Sequence, residues 1–75
     1  MDIKTLFGKN VRLTRERCHW SQERLSEESG LHRTYISGIE CGQRNPTIQI
    51  VQRIANALNV DIPYLFILKI DKESS

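Results

Sequence analysis

Residues 22–41 read QERLSEESGLHRTYISGIEC, and the remainder of the 75-residue chain is organised around them. Leu25 and Ser29, then Ile36 and Ile39, recur three or four residues apart, the spacing of one face of an α-helix. Ser21 stands at the N-cap place, where its hydroxyl can accept from a first-turn amide of a helix opening at Gln22. Gly30 takes the C′ place, where the backbone turns left-handed and glycine does so without steric cost. The apolar spacing that resumes at Ile36 requires a second short helix to begin within two or three residues of Gly30. Two helices of about eight residues joined by so tight a turn cross steeply rather than lie side by side. The spacing therefore predicts a helix-turn-helix, whose second helix can enter the DNA major groove.

Upstream, Ile3, Leu6/Phe7, Val11 and the run Thr14 to Cys18 make a helical stripe, with Lys9, Arg12 and Glu16 on other faces, so residues 2–18 read as a first helix. Asp2 is its expected N-cap. His19 and Trp20 form the connection, with Trp20 as an apolar plug over the helix junction. Downstream, Gly42 and Asn45-Pro46 are turn signals. Thr47 can cap a fourth helix in which Ile48, Val51, Ile54/Ala55 and Leu58 recur at the helical period, and Asn59 suits its C′ position. Asp61 can cap a fifth, short helix with Pro63 in its first turn. Residues 1–70 make one all-α domain of five helices, and residues 71–75 a frayed tail. Ile62, Tyr64, Leu65, Phe66, Ile67, Leu68 and Ile70 cannot all face one small core, so the C-terminal segment needs a second burial surface.

Composition narrows the function classes. The net charge of +2 is weak, but its distribution is uneven. Residues 1–20 carry Lys4, Lys9, Arg12, Arg15 and Arg17 against Asp2 and Glu16, a net +3. Residues 21–30 carry Arg24 against Glu23, Glu27 and Glu28, a net −2. Such polarity can present one face to phosphates and another to solvent or protein. Cys18 and Cys41 form no metal constellation, and the sequence favours buried or semi-buried thiols in a reduced, cytoplasmic protein. There is no apolar leader and no membrane-length apolar run. His19, His32, Cys18 and Cys41 supply no nucleophile and base set, so neither an enzyme, a cofactor nor a small-molecule ligand is expected.

Between Phe7 and Phe66 the sequence resembles the Cro/lambda-repressor-like (XRE-type) helix-turn-helix proteins, with Gln22, Ser26, Gly30 and Ile36 at that family's characteristic places. RTYISGIE followed by RNPT looks most like the controller proteins of restriction-modification systems. The resemblance implies a compact lambda-repressor-like domain and an ion pair between Arg15 and Glu40 tying the first helix to the recognition helix. It implies that Gln22 contacts a phosphate, and that Arg44, Asn45 and Thr47 run along the DNA backbone, with the minor groove as an alternative for Arg44. It also implies a homodimer, whose interface falls on Ile62, Leu65, Phe66 and Ile67, with Ile50.

A recognition helix touches base edges with its first turn and with outward positions one turn later. Those positions are Arg33, Thr34 and Ser37. Arg33 can donate twice to guanine, with a phosphate contact as its alternative. Tyr35 is expected to reach a phosphate or to pack against the turn. Gly38 is expected to leave a gap that shifts weight onto DNA shape. His32 precedes the helix and is expected to cap it poorly or, when protonated, to touch a phosphate. The leading expectation is a transcriptional regulator that binds double-stranded DNA as a homodimer on a symmetric operator. RNA polymerase is a further partner if it activates. The alternative is an antitoxin-like interaction module with secondary DNA binding.

Overall fold

Asp2 opens the first helix: its carboxylate accepts from the Thr5 amide at 2.9 Å, and that bond holds its pKa below the ordinary value. The cap is therefore present above the ordinary carboxylate range and is lost as pH falls through the depressed value. The computed structural model describes residues 2–68 of the chain. It places α1 at Ile3–Arg17, α2 at Gln22–Ser29, α3 at Arg33–Glu40 and α4 at Ile48–Leu58, followed by a 3₁₀ helix at Ile62–Phe66. Ile70 and the expected tail 71–75 lie outside the described residues. Ser21 caps α2 by accepting from Arg24 N at 3.0 Å, and Thr47 caps α4 by accepting from Ile50 N at 3.2 Å.

Each α-helix is followed by a left-handed residue: His19, Gly30, Gly42 and Asn59. After α1, α3 and α4 the two amides that follow reach back together, for example Gly42 N to Ile39 O and Gln43 N to Gly38 O. That paired arrangement satisfies carbonyls the helix itself leaves open. The fifth element is a 3₁₀ turn rather than the α-helix that the sequence suggests. Asn10, itself buried, donates its side-chain amide to Leu65 O and Ile67 O at 2.9 Å each, so these carbonyls are satisfied without further helix. Asp61 precedes the element, but its side chain makes no capping bond.

The core joins Phe7 and Val11 of α1 to Leu25, Ile36, Ile39, Ile54, Leu58 and Leu65. α1 lies against α3 so closely that a Cβ on Gly8 would come within 2.0 Å of the Ile39 carbonyl oxygen. A second clamp joins α2 to α4: Arg53 donates to Ser29 O and Gly30 O at 3.0–3.2 Å, a cation at a helix C-terminus. Trp20 packs on the core as expected, with the Arg24 guanidinium 4.9 Å above its ring.

Four expected burials fail. Cys18 and Cys41 are both exposed, because each sits at the C-cap where its helix ends. Ile48 is 83% exposed and Ile3 65%, because the first turn of each helix projects beyond its neighbours.

His19 is the non-glycine residue that ends α1, with φ of 60°. An L-residue in that conformation costs about 1–2 kcal/mol, part of which glycine returns through its freer unfolded chain. His19→Gly should therefore stabilise by about 0.5 kcal/mol, a rise in melting temperature of roughly 2–4 °C. A thermal melt followed by circular dichroism checks this, and a lower melting temperature would mean that the imidazole makes a stabilising contact.

Candidate nucleic-acid interface

The candidate interface is built outward from one buried carboxylate. Glu40, the last residue of α3, has a side chain only 3% exposed. Arg15 of α1 donates to it twice, Nε to Oε2 at 2.7 Å and Nη2 to Oε1 at 3.0 Å. The remaining Arg15 nitrogen, Nη1, donates to Trp20 O at 2.8 Å, so the turn after α1 completes the site. The Glu40 hydrogen bonds raise the Arg15 pKa above its already alkaline ordinary value, and the guanidinium stays charged. Gln22, at the start of α2, adds a third bond by donating Nε2 to Glu40 Oε1 at 3.0 Å.

From there the network reaches the surface. Gln22 Oε1 accepts from Arg33 Nη1 at 3.4 Å, and Arg33 Nε lies 3.9 Å from Glu23. Arg33 thus leans from the first residue of α3 back over the start of α2. The side-chain amide of Gln22, expected at a phosphate, gives one of its two N–H groups to Glu40 and its oxygen to Arg33, so its second N–H remains for a phosphate. Thr34 is exposed beside Arg33, and Ser37 is half-buried one turn further on, while Ile36 and Ile39 face the core. His32 precedes α3 without a side-chain cap.

The gap expected at Gly38 is filled. Tyr35 is half-buried against the core, and the Arg44 guanidinium lies over its ring at 5.3 Å from the centroid. Asn45 and Thr47 are exposed in the same loop and at the α4 cap, where the Thr47 hydroxyl accepts from Ile50 N and keeps its own O–H to donate. Sequence reasoning missed Asn10 and Arg53, because both act on carbonyls far along the chain that no local pattern announces. Among the described residues no cluster of three His, Cys, Asp or Glu side chains is placed to hold a metal, and no helix is long and apolar enough to cross a membrane.

Of the expected interface residues, Leu65 is fully buried in the monomer core and unavailable to a partner. Ile50, Ile62 and Phe66 are half-buried, Phe66 stacking on Phe7 at 5.0 Å. Ile67 is 53% exposed and Leu68 71%. Ile3, Phe7, Pro46, Ile48, Val51 and Phe66 line an apolar groove of about 200 Å³.

An α2–α3 pair crossing over a tight glycine turn, with α3 offering Arg33 and Thr34 outward, defines a helix-turn-helix DNA-binding module. The chain belongs to the helix-turn-helix family, whose pattern matches residues 11–65. Within it, the chain is similar to control protein C.SmaI of Serratia marcescens, 48% identical over 65 residues that cover 87% of this chain and 77% of the relative. It shares its fold with the restriction-modification controller protein C.AhdI from Aeromonas hydrophila, with a TM-score of 0.82 and 38% identity over 84% of this chain and 96% of that one. A third similar protein, the controller protein C.Esp1396I, was solved as a tetramer with its natural 35-base-pair operator. It has a TM-score of 0.81 and 33% identity, covering 88% of this chain and 87% of that one.

Removing one partner of a buried ion pair strands the other charge. Glu40→Ala should therefore cost about 3–5 kcal/mol, comparable with the whole stability of many small domains. Denaturant titration of the variant reads this directly. A loss below about 1 kcal/mol would show that water or another carboxylate can replace Glu40 beside Arg15.

Proposed function

We propose that the protein is a sequence-specific regulator of transcription that binds double-stranded DNA as a homodimer, in the manner of a restriction-modification controller protein. The observation that carries this reading is α3 itself. Its inner face is fixed by Ile36, Ile39 and Glu40, and its outer face offers Arg33, Thr34 and Ser37 to a groove. Arg33 reads guanine, donating from two nitrogens to O6 and N7, while the Thr34 methyl and hydroxyl suit thymine or a polar base edge. The phosphate at the α2 N-terminus is met by backbone amides there and by the second Nε2 N–H of Gln22, whose first is given to Glu40. Arg44, Asn45 and Tyr35 supply further backbone contacts.

Dimerisation is supported by the apolar surface a monomer leaves uncovered. Ile3, Ile48, Ile67 and Leu68 are all exposed, and the groove between Ile3, Ile48 and Phe66 is apolar. A second copy covers it, together with the half-buried Ile50 and Ile62. Two copies related by a two-fold axis read half-sites about 34 Å apart. The protein works where the DNA is, in the cytoplasm, and contact with RNA polymerase is the activating branch of the same reading.

Selection of bound duplexes from a random library, at near-physiological salt, tests the proposal. Enrichment of an inverted repeat with half-site centres about ten base pairs apart is the expected result. Arg33→Ala should then lose about 1–3 kcal/mol of discrimination at one position per half-site while retaining the rest of the preference. If nothing enriches and binding vanishes steeply with salt, the contacts are phosphate contacts alone and the regulator reading fails.

A further inference from the structure

Arginines in this chain are almost all occupied. Arg12 bonds Glu16, Arg15 bonds Glu40, Arg17 bonds Tyr64, Arg24 bonds Glu28, Arg33 bonds Gln22, and Arg53 bonds the carbonyls that end α2. Arg44 is the exception among the described residues. Its guanidinium carbon lies over the Tyr35 ring, 5.3 Å from the centroid, and it makes no hydrogen bond or ion pair among the described residues. A cation over a ring face is attracted by the ring quadrupole and not by a hydrogen-bond acceptor, so the ring favours its place without consuming its hydrogen-bonding capacity.

What permits that stack is the residue between the two. A Cβ on Gly38 would lie 2.9 Å from Arg44 Cγ, closer than real Cβ atoms approach, and 3.1 Å from Nε, a tight contact. The Arg44 stem therefore runs directly over the bare backbone of α3, and Gly38 is buried beneath it. The chain reaches this position because the left-handed Gly42 turns it back, with Gln43 N bonded to Gly38 O at 2.9 Å. Glycine inside a helix is disfavoured relative to alanine. At position 38 it disfavours the helix while opening a track for one side chain.

We propose that Gly38 is a positioning residue for DNA recognition: its bare backbone lets Arg44 lie across α3 and stack on Tyr35 with its donors open. Arg44 and Tyr35 then meet the DNA as one preformed unit, a planar cation backed by an aromatic ring. Because the arginine is ordered before binding, the entropy of immobilising it is not lost in the complex. This inference rests on the regulator reading above and assigns a role that the base-contacting residues do not cover.

The test is a double-mutant cycle of Gly38→Ala and Arg44→Ala, read on the duplex that the wild-type protein selects from a random library. Gly38→Ala should melt at or above the wild-type temperature, since alanine is the better helix former. It should nevertheless bind the duplex about three- to tenfold more weakly. In the Arg44→Ala background the same change should have no further effect on binding. In the free protein, Arg44 side-chain protons should carry an upfield ring-current shift that Gly38→Ala abolishes. Unchanged affinity in Gly38→Ala, additive losses in the cycle, or a ring-current shift that survives the substitution would each overturn the inference while leaving the regulator reading intact. Failure of the wild-type protein to select any duplex would remove that reading, and this inference with it.

Discussion

A carboxylate removed from water must be met by charge or it will not stay ionised, and Glu40 is met from two directions at once. Arg15 fills both of its oxygens and ties α3 to α1, while Gln22 ties the same group to the start of α2. An isolated eight-residue helix has no stable angle, or even stable helicity, of its own in water. The orientation of α3 is therefore imposed from outside. A buried pair of this kind adds less net stability than apolar residues of equal volume would, so what it contributes here is direction. Gly8 makes the arrangement possible, because any side chain there would strike the Ile39 carbonyl one residue before Glu40.

The division of labour among cations follows from that lock. With a net charge of only +2, the chain as a whole attracts DNA weakly, and the face it presents depends on how its charges are distributed. Most of its guanidinium groups hold the scaffold together, at carbonyls, at carboxylates or on a tyrosine hydroxyl. Arg33 is held loosely, by a long bond to Gln22 and a distant Glu23 at the protein surface, which makes exchange for a base edge inexpensive. Arg44 is held by stacking alone. The groups left to face DNA are thus those whose protein partners are weakest or occupy no hydrogen-bond donors.

What could be read from sequence was what local chemistry decides. Ser21, Thr47 and Asp2 cap because a side-chain oxygen three residues before a free amide has one geometry available to it. Gly30 and Asn59 turn left-handed because those residue types do so readily. The register of Ile36 and Ile39 placed Arg33 and Thr34 outward. Readings failed where tertiary context decided. Ile48 keeps the helical period of α4, yet its turn overhangs the core. Leu65 belongs to an apolar run that the family resemblance placed at a partner, yet it is fully buried in the monomer core, where Asn10 bonds its carbonyl to α1. Gly38 looked like a vacancy, since no helix-based rule foresees a side chain from the next loop lying along it.

The loop from Arg44 to Thr47 links two surfaces that otherwise look separate. Arg44 lies on α3, whereas Asn45 and Pro46, the next residues, line the apolar groove beside Ile3, Ile48 and Phe66. Pro46 fixes its own φ and restricts Asn45, so the segment has little freedom to bend between the two surfaces. The groove that the proposed dimer would cover and the open guanidinium of Arg44 are thus presented by one short segment of chain, whose stiffness sets how each is placed relative to the other.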